Sequence, residues 1–352
     1  MPTFLTLRVT ELIAERPGLQ RVRLDDGSRA YSITQLTGTV AVGDEVVVNT
    51  TAVELGLGTG GWHVVHWNLA RRELHQPGPG HIMKLRYTSL QVDTGSAEEL
   101  TPTAAMRPDA GLPDLHGVPV LVGSLHSQVG VAAAVIATLR PGTRVSYVMT
   151  DGAALPLVLS DLVADLRDRD LLSGTVTAGH AFGGDAEAVS VASALQIAVE
   201  VQRAEIVICA MGPGVVGTDT TLGTTSFEVA AILSTAERLG ASPVAMLRAS
   251  SGDLRPRHQG ISHHSRSALA LVGTPLEIPV PPELLADAAA LAPHVPVVVE
   301  PPDVAEALTR HGLTVTTMGR GPGQDGLFFR SAGAAAARSV DLLSSRDTVA
   351  PS

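Results

Sequence analysis

The sequence predicts a mixed α/β protein in which a small N-terminal β-barrel precedes a doubly wound, mostly parallel, Rossmann-like sheet. After residue 117, short runs that are apolar at every position alternate with helix-length segments. Such runs are typical of parallel strands that are buried on both faces. Before residue 91 the runs are short, β-branched and separated by glycine corners, which is typical of OB- or SH3-like barrels.

The predicted barrel domain covers residues 1–90. The turn signal Arg16-Pro17-Gly18 separates its first two strands, and Asp25-Asp26-Gly27 marks a second turn. The predicted strands are residues 5–13, 20–24, 46–50 and 62–68. Residues 91–116 are acidic, contain several prolines and lack periodicity, so we expect a linker there.

The predicted α/β domain covers residues 117–340, and residues 341–352 are expected to form a flexible tail. Strands are predicted at residues 118–122, 145–149, 174–178, 205–211, 243–247, 276–280, 295–299 and 314–318. Helices are predicted at residues 129–139, 155–169, 186–202 and 227–239. Because βαβ crossovers are right-handed, this alternation predicts helices on both faces of one sheet.

Composition excludes several functional classes. Charged residues make up 17% of the chain and the net charge is −10, which argues against a protein that wraps nucleic acid or an anionic membrane. A single cysteine, Cys209, excludes an internal disulfide framework and a cysteine-cluster metal site, and its apolar strand predicts an inert thiol. The first 18 residues lack the pattern of a signal peptide and no apolar run spans a bilayer, so we expect a cytoplasmic protein.

Polar residues follow most of the predicted strands of the α/β domain. In open α/β sheets, ligands bind beyond the carboxyl ends of the strands, so these residues are the candidates for a site. The candidate catalytic residues, chosen for acid–base chemistry, are His126, Asp151, His180 and His263. The candidate ligand-binding residues are Lys84, Ser127, Asp185, Gly212, Gly214, Gly217, Thr218, Arg255, Arg257, His258 and Arg320.

Residues 212–217 spell G-x-G-x-x-G directly after a predicted strand. A dinucleotide site would also need a helix that opens within the motif and an acidic residue after the next strand, where Arg248 stands. Three interpretations remain: an NADP site, an anion-binding loop, and a turn that packs closely on the sheet. A Walker P-loop is excluded because the chain contains no Gly-Lys-Ser/Thr. The sequence identifies no cofactor.

Residues 255–264 form the densest polar cluster of the chain. Its arginines suit bidentate recognition of an anion, and its histidines suit acid–base chemistry or metal ligation. Neighbouring side chains on a helix diverge by about 100°, so His263 and His264 are not expected to hold one ion together. A metal would instead join one of them to Asp151, His180 or Asp185, and no metal site is predicted. Ser262 is an expected N-cap, so surface imidazoles on a capped helix are the third interpretation.

One of the 25 basic residues is a lysine, Lys84, and the other 24 are arginines. Biased codon usage explains such a ratio. Three interpretations of Lys84 remain: an ordinary lysine between the domains, a contact for an anionic ligand and, as a remote third, a Schiff-base lysine.

Nine blocks of this sequence together resemble a family catalogued as domain-of-unknown-function family 3866. They are residues 16–19, 49–61, 78–87, 123–127, 147–156, 177–185, 211–218, 257–264 and 316–321, and the resemblance covers most of residues 8–335. The run N-T-T-A-V-E-L-G-L-G-T-G-G is the most specific. The sequence departs from the family's pattern at Asp219 and at residues 249–252. The resemblance implies that these blocks belong together and implies no activity.

The sequence therefore favours an enzyme that binds a small anionic ligand, phosphorylated or nucleotide-like, at the carboxyl edge of the sheet. The alternative is a non-enzymatic sensor or assembly protein, in which the same pocket binds a metabolite and the barrel contacts a partner. No membrane or strong nucleic-acid signal is present, and a homodimer is compatible with a sheet of this kind.

Overall fold

The computed structural model describes residues 1–57, 60–218 and 220–349. Gly58, Thr59 and Asp219, which belong to the family blocks and their neighbourhood, lie outside the described residues, as do residues 350–352 of the predicted tail. The chain divides into two compact units, Met1–Gly95 and Ser96–Ser352. Among the described residues, none of the helices has the length and apolar character needed to cross a bilayer.

The first unit contains the predicted barrel, which is closed and five-stranded, in the order β1-β2-β3-β5-β4. Alternate residues such as Val22, Val46 and Val48 face its small core, as the period of a strand requires. Two register shifts in β1 let one long strand pair with both β2 and β4. The elements of this unit are β1 (Phe4–Arg16), β2 (Leu19–Leu24), β3 (Arg29–Ile33), α1 (Thr34–Thr37), β4 (Glu45–Asn49), α2 (Thr51–Glu54), β5 (Trp62–Asn68), β6 (Met83–Lys84) and β7 (Val92–Asp93).

The second unit contains a six-stranded parallel sheet in the order β11-β10-β9-β12-β8-β13. This order differs from the 3-2-1-4-5-6 of dinucleotide-binding domains. Its elements begin with α3 (Ala97–Leu100), β8 (Pro119–Gly123), α4 (His126–Leu139), β9 (Val145–Thr150), α5 (Asp161–Asp168), β10 (Gly174–Ala178), β11 (Ala186–Ala188), α6 (Val191–Glu200), β12 (Ile206–Met211), α7 (Glu228–Arg238) and β13 (Ser242–Met246).

The rest of the second unit forms two small sheets and four helices. They are β14 (Ala249–Ser250), β15 (Gly260–Ile261), α8 (His263–Leu269), β16 (Glu277–Val280), α9 (Leu285–Ala288), β17 (Val295–Val298), α10 (Val304–Arg310) and α11 (Gly326–Val349). The predicted strands near residues 276–280 and 295–299 exist, but they pair with each other as β16 and β17 and are not part of the large sheet.

Helices cover both faces of the large sheet, which explains why its strands are apolar at every position. Val120, Val207 and Cys209 pack into the core that holds α6, α7 and α8. Leu121 and Ile208, their neighbours along the same strands, pack into the core that holds α4, α5, α10 and α11. A strand between two apolar layers has no polar face to expose.

The structure adds detail to the sequence predictions at three places. Residues 314–318 form no strand, because the chain turns back there and makes only an isolated bridge between Thr317 and Arg320. Within the predicted linker, β7, α3 and two 3₁₀ turns are ordered, and Glu98 there accepts hydrogen bonds from Val189 and Ser193. The predicted tail continues α11 to Val349, held by buried Leu343 and by an Arg140–Asp347 ion pair.

Candidate functional site

The chain changes direction at the carboxyl edge of the sheet, on both sides of β12. From β8 and β9 the chain enters α4 and α5 on one face, whereas from β12 it enters α7 on the opposite face. Because β12 lies between β9 and β8, the loop after β12 diverges from the loops that follow both of these strands. Crevices at such switch points are where open α/β sheets bind ligands.

Glu228 begins α7 and lies in the crevice between β12 and β9. The hydroxyl of Thr150, the last residue of β9, donates to the Glu228 carboxylate at 2.8 Å from Oε1 and 2.9 Å from Oε2. Burial raises the pKa of Glu228 from 4.5 to about 7; the Thr150 hydrogen bond lowers it, and the charge of Asp151 raises it further. Gly152 packs against this carboxylate so closely that a Cβ there would collide with Oε2.

Asp151 and His180 meet at the same edge, because they follow the neighbouring strands β9 and β10. Asp151 Oδ2 accepts a hydrogen bond of 2.9 Å from the backbone N–H of His180, which closes the turn after β10. Asp151 is exposed, and its charge acts on Glu228. The crevice therefore joins one exposed and one half-buried carboxylate.

His126 lies at the same edge, but both of its ring nitrogens already have protein partners. Nδ1 is 3.2 Å from the hydroxyl of Tyr147 and Nε2 is 2.7 Å from Oγ of Ser160. Burial lowers the pKa of His126 to about 4, so the imidazole is neutral at neutral pH. This geometry favours an organising role over the predicted proton transfer, because neither nitrogen is left for a substrate.

Three histidines converge beside the loop after β12. The rings of His263 and His264 are 4.2 Å apart, and each is 5.0 Å from the ring of His258. The prediction that His263 and His264 diverge is therefore wrong. They occupy the first turn of α8, and the 3₁₀ turn that precedes this helix places His258 beside them. Ser262 caps α8 through its hydroxyl, as predicted.

Four arginines surround this histidine cluster, and three of them share two carboxylates. Asp253 holds Arg255 through two hydrogen bonds of 2.9 and 2.8 Å, and lies 3.7 Å from Arg248 and 3.6 Å from Arg320. Asp325 accepts a 3.0 Å hydrogen bond from Nε of Arg320. Arg255 and Arg320, predicted to bind a ligand, are thus already paired with carboxylates. Arg257 is exposed in the same turn.

The effects of this setting on the histidines follow from burial and charge together. Burial lowers the pKa of His258 to about 3 and that of His264 to about 4, and nearby arginines or a second imidazole lower both further. The pKa of His263 is lowered by burial and by Arg257. All three imidazoles are therefore neutral at neutral pH, with a lone pair available on each ring.

The glycine-rich segment after β12 forms an exposed hairpin. Gly217 bridges to Thr224, and Thr218 N–H donates to Gly223 O at 2.7 Å. No helix begins within the described residues 212–218, and α7 starts only at Glu228, which removes the helix-terminus feature of a dinucleotide site. Gly214 is exposed near the start of this hairpin, and Gly212 is buried against Ala154.

The remaining predicted residues are placed elsewhere or serve the scaffold. Asp185 accepts from Thr175 of β10 and pairs with Arg167; burial would raise its pKa, but these hydrogen bonds lower it. Ser127 lies in the first turn of α4. Lys84 is buried in β6 of the first unit, opposite Val92.

The sequence reasoning missed Glu228, Asp253 and Asp325. Glu228 had a visible signal, because it is the acidic residue directly before the apolar run Val229–Leu233, behind the glycine-rich segment. Asp253 had a weaker one, since it is the acidic residue nearest to the arginines of residues 255–257. Asp325 lies some seventy residues from its partners Ser250 and Ser251, so no local pattern could have indicated it.

Comparisons with known proteins place the chain in a family. Neither the curated proteins nor the solved structures include a match to this sequence. The family described as "Protein of unknown function (DUF3866)" matches residues 29–336, which include three of the five barrel strands and both residue clusters at the edge of the sheet. This match spans most of the chain and agrees with the resemblance carried by the sequence blocks. The chain is therefore a member of the DUF3866 family.

Proposed function

We propose that this protein is an enzyme that binds a small anionic ligand at the carboxyl edge of the six-stranded sheet and uses Glu228 as a general base. The observation that carries the proposal is the Glu228 carboxylate, half-buried at a switch point, hydrogen-bonded to Thr150 and adjacent to Asp151. A base with a pKa near 7 is matched to proton transfer at neutral pH. A carboxylate kept there only for structure would gain nothing from burial.

The anionic character of the ligand rests on the arginines at the same edge. Arg248 is buried, and burial lowers its pKa to about 10, which leaves the guanidinium charged. Three guanidiniums share two carboxylates in this region, and Arg257 is exposed beside them, so arginines outnumber these carboxylates although the chain as a whole carries −10. Phosphate and carboxylate groups are the ligands that such a surface attracts.

A thermal-shift screen with inorganic phosphate, phosphorylated metabolites and nucleotides tests ligand binding, and compounds that shift the midpoint are then assayed for turnover. We expect kcat/KM to rise with pH through about 7, because the base must lose its proton. Glu228→Gln should abolish turnover and retain the thermal shift. Glu237→Gln, exposed on the same helix, is the matched control and should behave as the wild type.

The same screen has outcomes that contradict the proposal. The absence of a thermal shift with every anion tested would contradict the proposed binding site. Binding without turnover by the wild type would favour the sensor that the sequence also allows. Turnover that survives Glu228→Gln would show that the proton is moved by another group.

A further inference from the structure

The histidine cluster has the geometry of a ligand set. One ring nitrogen of each of His258, His263 and His264 lies within 4.8 Å of one ring nitrogen of both others. In a tetrahedral site with bonds of about 2.05 Å, the ligand nitrogens are about 3.3 Å apart. Metal binding would therefore require side-chain rotations that bring the three nitrogens closer together.

Two features of this cluster are typical of histidines that bind a metal. Ser262 Oγ is 2.8 Å from Nδ1 of His258 and also accepts the backbone N–H of His264, so one hydroxyl orients the first ring and the helix that carries the others. Hydrogen bonds of this kind to the second ring nitrogen are typical of metal-binding histidines. Nε2 of His263 is buried and has no hydrogen-bond partner among the residues that the structure describes. A buried polar atom without a partner is costly unless a ligand supplies one.

Gly217 keeps space open beside the third ring. A Cβ at this position would lie 3.1 Å from Nε2 of His264 and 2.9 Å from its Cε1. The backbone of Gly217 is not in the left-handed region, so its need for glycine comes from this close approach. Any side chain at residue 217 would therefore narrow the approach to the His264 nitrogen.

We propose that His258, His263 and His264 together bind one divalent transition-metal ion of the zinc class and leave at least one coordination position open. Imidazole ligands suit zinc, cobalt, nickel, copper and iron, and exclude the oxygen-seeking magnesium and calcium. A set of three histidines with an open position is the arrangement of catalytic rather than structural sites. The proposal stands on the histidine geometry alone and does not require Glu228 to be a base.

The arginines near the cluster set a condition on this site. Nη1 of Arg248 is 3.4 Å from Nδ1 of His264, a long contact that needs Nδ1 to be unprotonated. When His264 binds metal through Nε2, Nδ1 carries the proton, and Arg248 must turn towards Asp253, which is already 3.7 Å away. Asp253 and Asp325 offset part of the positive charge that would otherwise repel a cation.

Cobalt(II) is the probe for the test, because its visible absorption reports coordination by nitrogen at low coordination number. The full-length protein, first stripped with a chelator, is titrated with Co²⁺ while absorbance and heat are recorded. We expect one Co²⁺ per chain with visible bands. His258→Gln and His263→Gln should each weaken binding at least tenfold, whereas His116→Gln, an exposed histidine, should not.

A second pair of variants leaves the ligands intact. Gly217→Ala should weaken Co²⁺ binding several-fold because its methyl group crowds Nε2 of His264. Gly323→Ala, at a position with open space around it, should bind as the wild type. Circular dichroism of each metal-free variant establishes that it is folded.

Three results would overturn the metal site: no Co²⁺ bound by the wild type, several weak ions per chain without visible bands, or unchanged affinity in both histidine variants. Glu228→Gln separates this proposal from the proposed function, since it should lose turnover and bind Co²⁺ normally.

Discussion

Glu228 shows how the environment of a single residue sets its chemistry. The side chain is an ordinary carboxylate in the sequence. Its burial at the start of α7 is the largest cause that raises its pKa to about 7. Thr150 opposes this shift by donating to the charged form, and Asp151 reinforces it by repulsion. Because burial is the largest cause, the shift should persist when either neighbour is replaced.

Glu228→Gln should make stability less dependent on pH. In the folded state Glu228 keeps its proton up to about pH 7, whereas in the unfolded chain it loses it near 4.5. The wild type therefore loses stability as pH rises from about 4.5 to 7, and a shift of this size corresponds to about 3 kcal/mol at most. Urea denaturation at pH 5 and pH 8 should show the variant gaining about 1–3 kcal/mol relative to the wild type at the higher pH.

Glu237→Gln is the control for this measurement, since Glu237 is exposed on the same helix. Its effect should be within about 0.5 kcal/mol at both pH values. An equal effect of the two substitutions, or a Glu228→Gln effect that is the same at pH 5 and pH 8, would contradict the assigned burial of this carboxylate.

Lys84 is the single lysine of the chain and is buried. Its rarity in an arginine-rich chain marked it for attention, and the structure buries it completely in β6. A buried ammonium is smaller than a guanidinium, so its replacement by arginine would need more room. We therefore expect Lys84→Arg to lower the urea midpoint detected by tryptophan fluorescence, while the role of Lys84 towards a ligand stays a prediction.

At the scale of elements, hydrogen bonds connect the start of α11 to the end of β14. Asp325 is fully buried just before the helix and accepts hydrogen bonds from Ser250 Oγ at 2.7 Å and Ser251 N at 2.8 Å. Arg320 Nε adds a third at 3.0 Å. Burial would raise the pKa of Asp325, but these donors lower it, so its contribution to stability is present above the pKa of the unfolded chain and is lost as pH falls through the folded value.

Asp325→Asn should destabilise the protein by about 2–4 kcal/mol, because the amide presents an N–H to groups that are all donors and leaves Arg320 without its carboxylate. Urea denaturation at pH 7, followed by circular dichroism, measures the loss. Asp341→Asn, exposed on the same helix, should change stability by less than about 0.5 kcal/mol. Similar costs for the two variants would mean that Asp325 is not what holds this helix end.

At the scale of the molecule, the two units carry separate spectroscopic signals. The chain contains two tryptophans, Trp62 and Trp67, and both lie in β5 of the barrel. Trp62 stacks on Tyr31 of β3 with ring centroids 4.8 Å apart. The long helices belong to the second unit, so tryptophan fluorescence reports the barrel and far-ultraviolet circular dichroism reports mainly the second unit.

Val22→Ala should lower the urea midpoint detected by tryptophan fluorescence. Val22 is fully buried in the barrel core, and removing two methyl groups there costs about 1–3 kcal/mol through lost burial and an unfilled cavity. Val42→Ala, at an exposed valine of the same unit, should leave the midpoint nearly unchanged. If the two variants shifted it equally, the barrel core assigned to Val22 would be wrong.

The sequence by itself determined the types of element and the edge at which chemistry is possible. Runs that are apolar throughout predicted the buried parallel strands, and β-branched runs with glycine corners predicted the barrel, because side-chain period follows directly from backbone geometry. Residues that follow parallel strands were expected at the carboxyl edge, because the ends of such strands share that edge. Asp151 and His180 meet there because β9 and β10 are also neighbours along the chain.

Only the tertiary structure decided which residues at this edge meet. The order β11-β10-β9-β12-β8-β13 inserts β12 between β9 and β8, and this brings Glu228 to Thr150. The turn before α8 gathers three histidines that helix geometry alone would separate, and Asp253 and Asp325 occupy arginines that looked available for a ligand. These outcomes depend on strand order and on contacts between distant segments, which the local periodicity of a sequence does not encode.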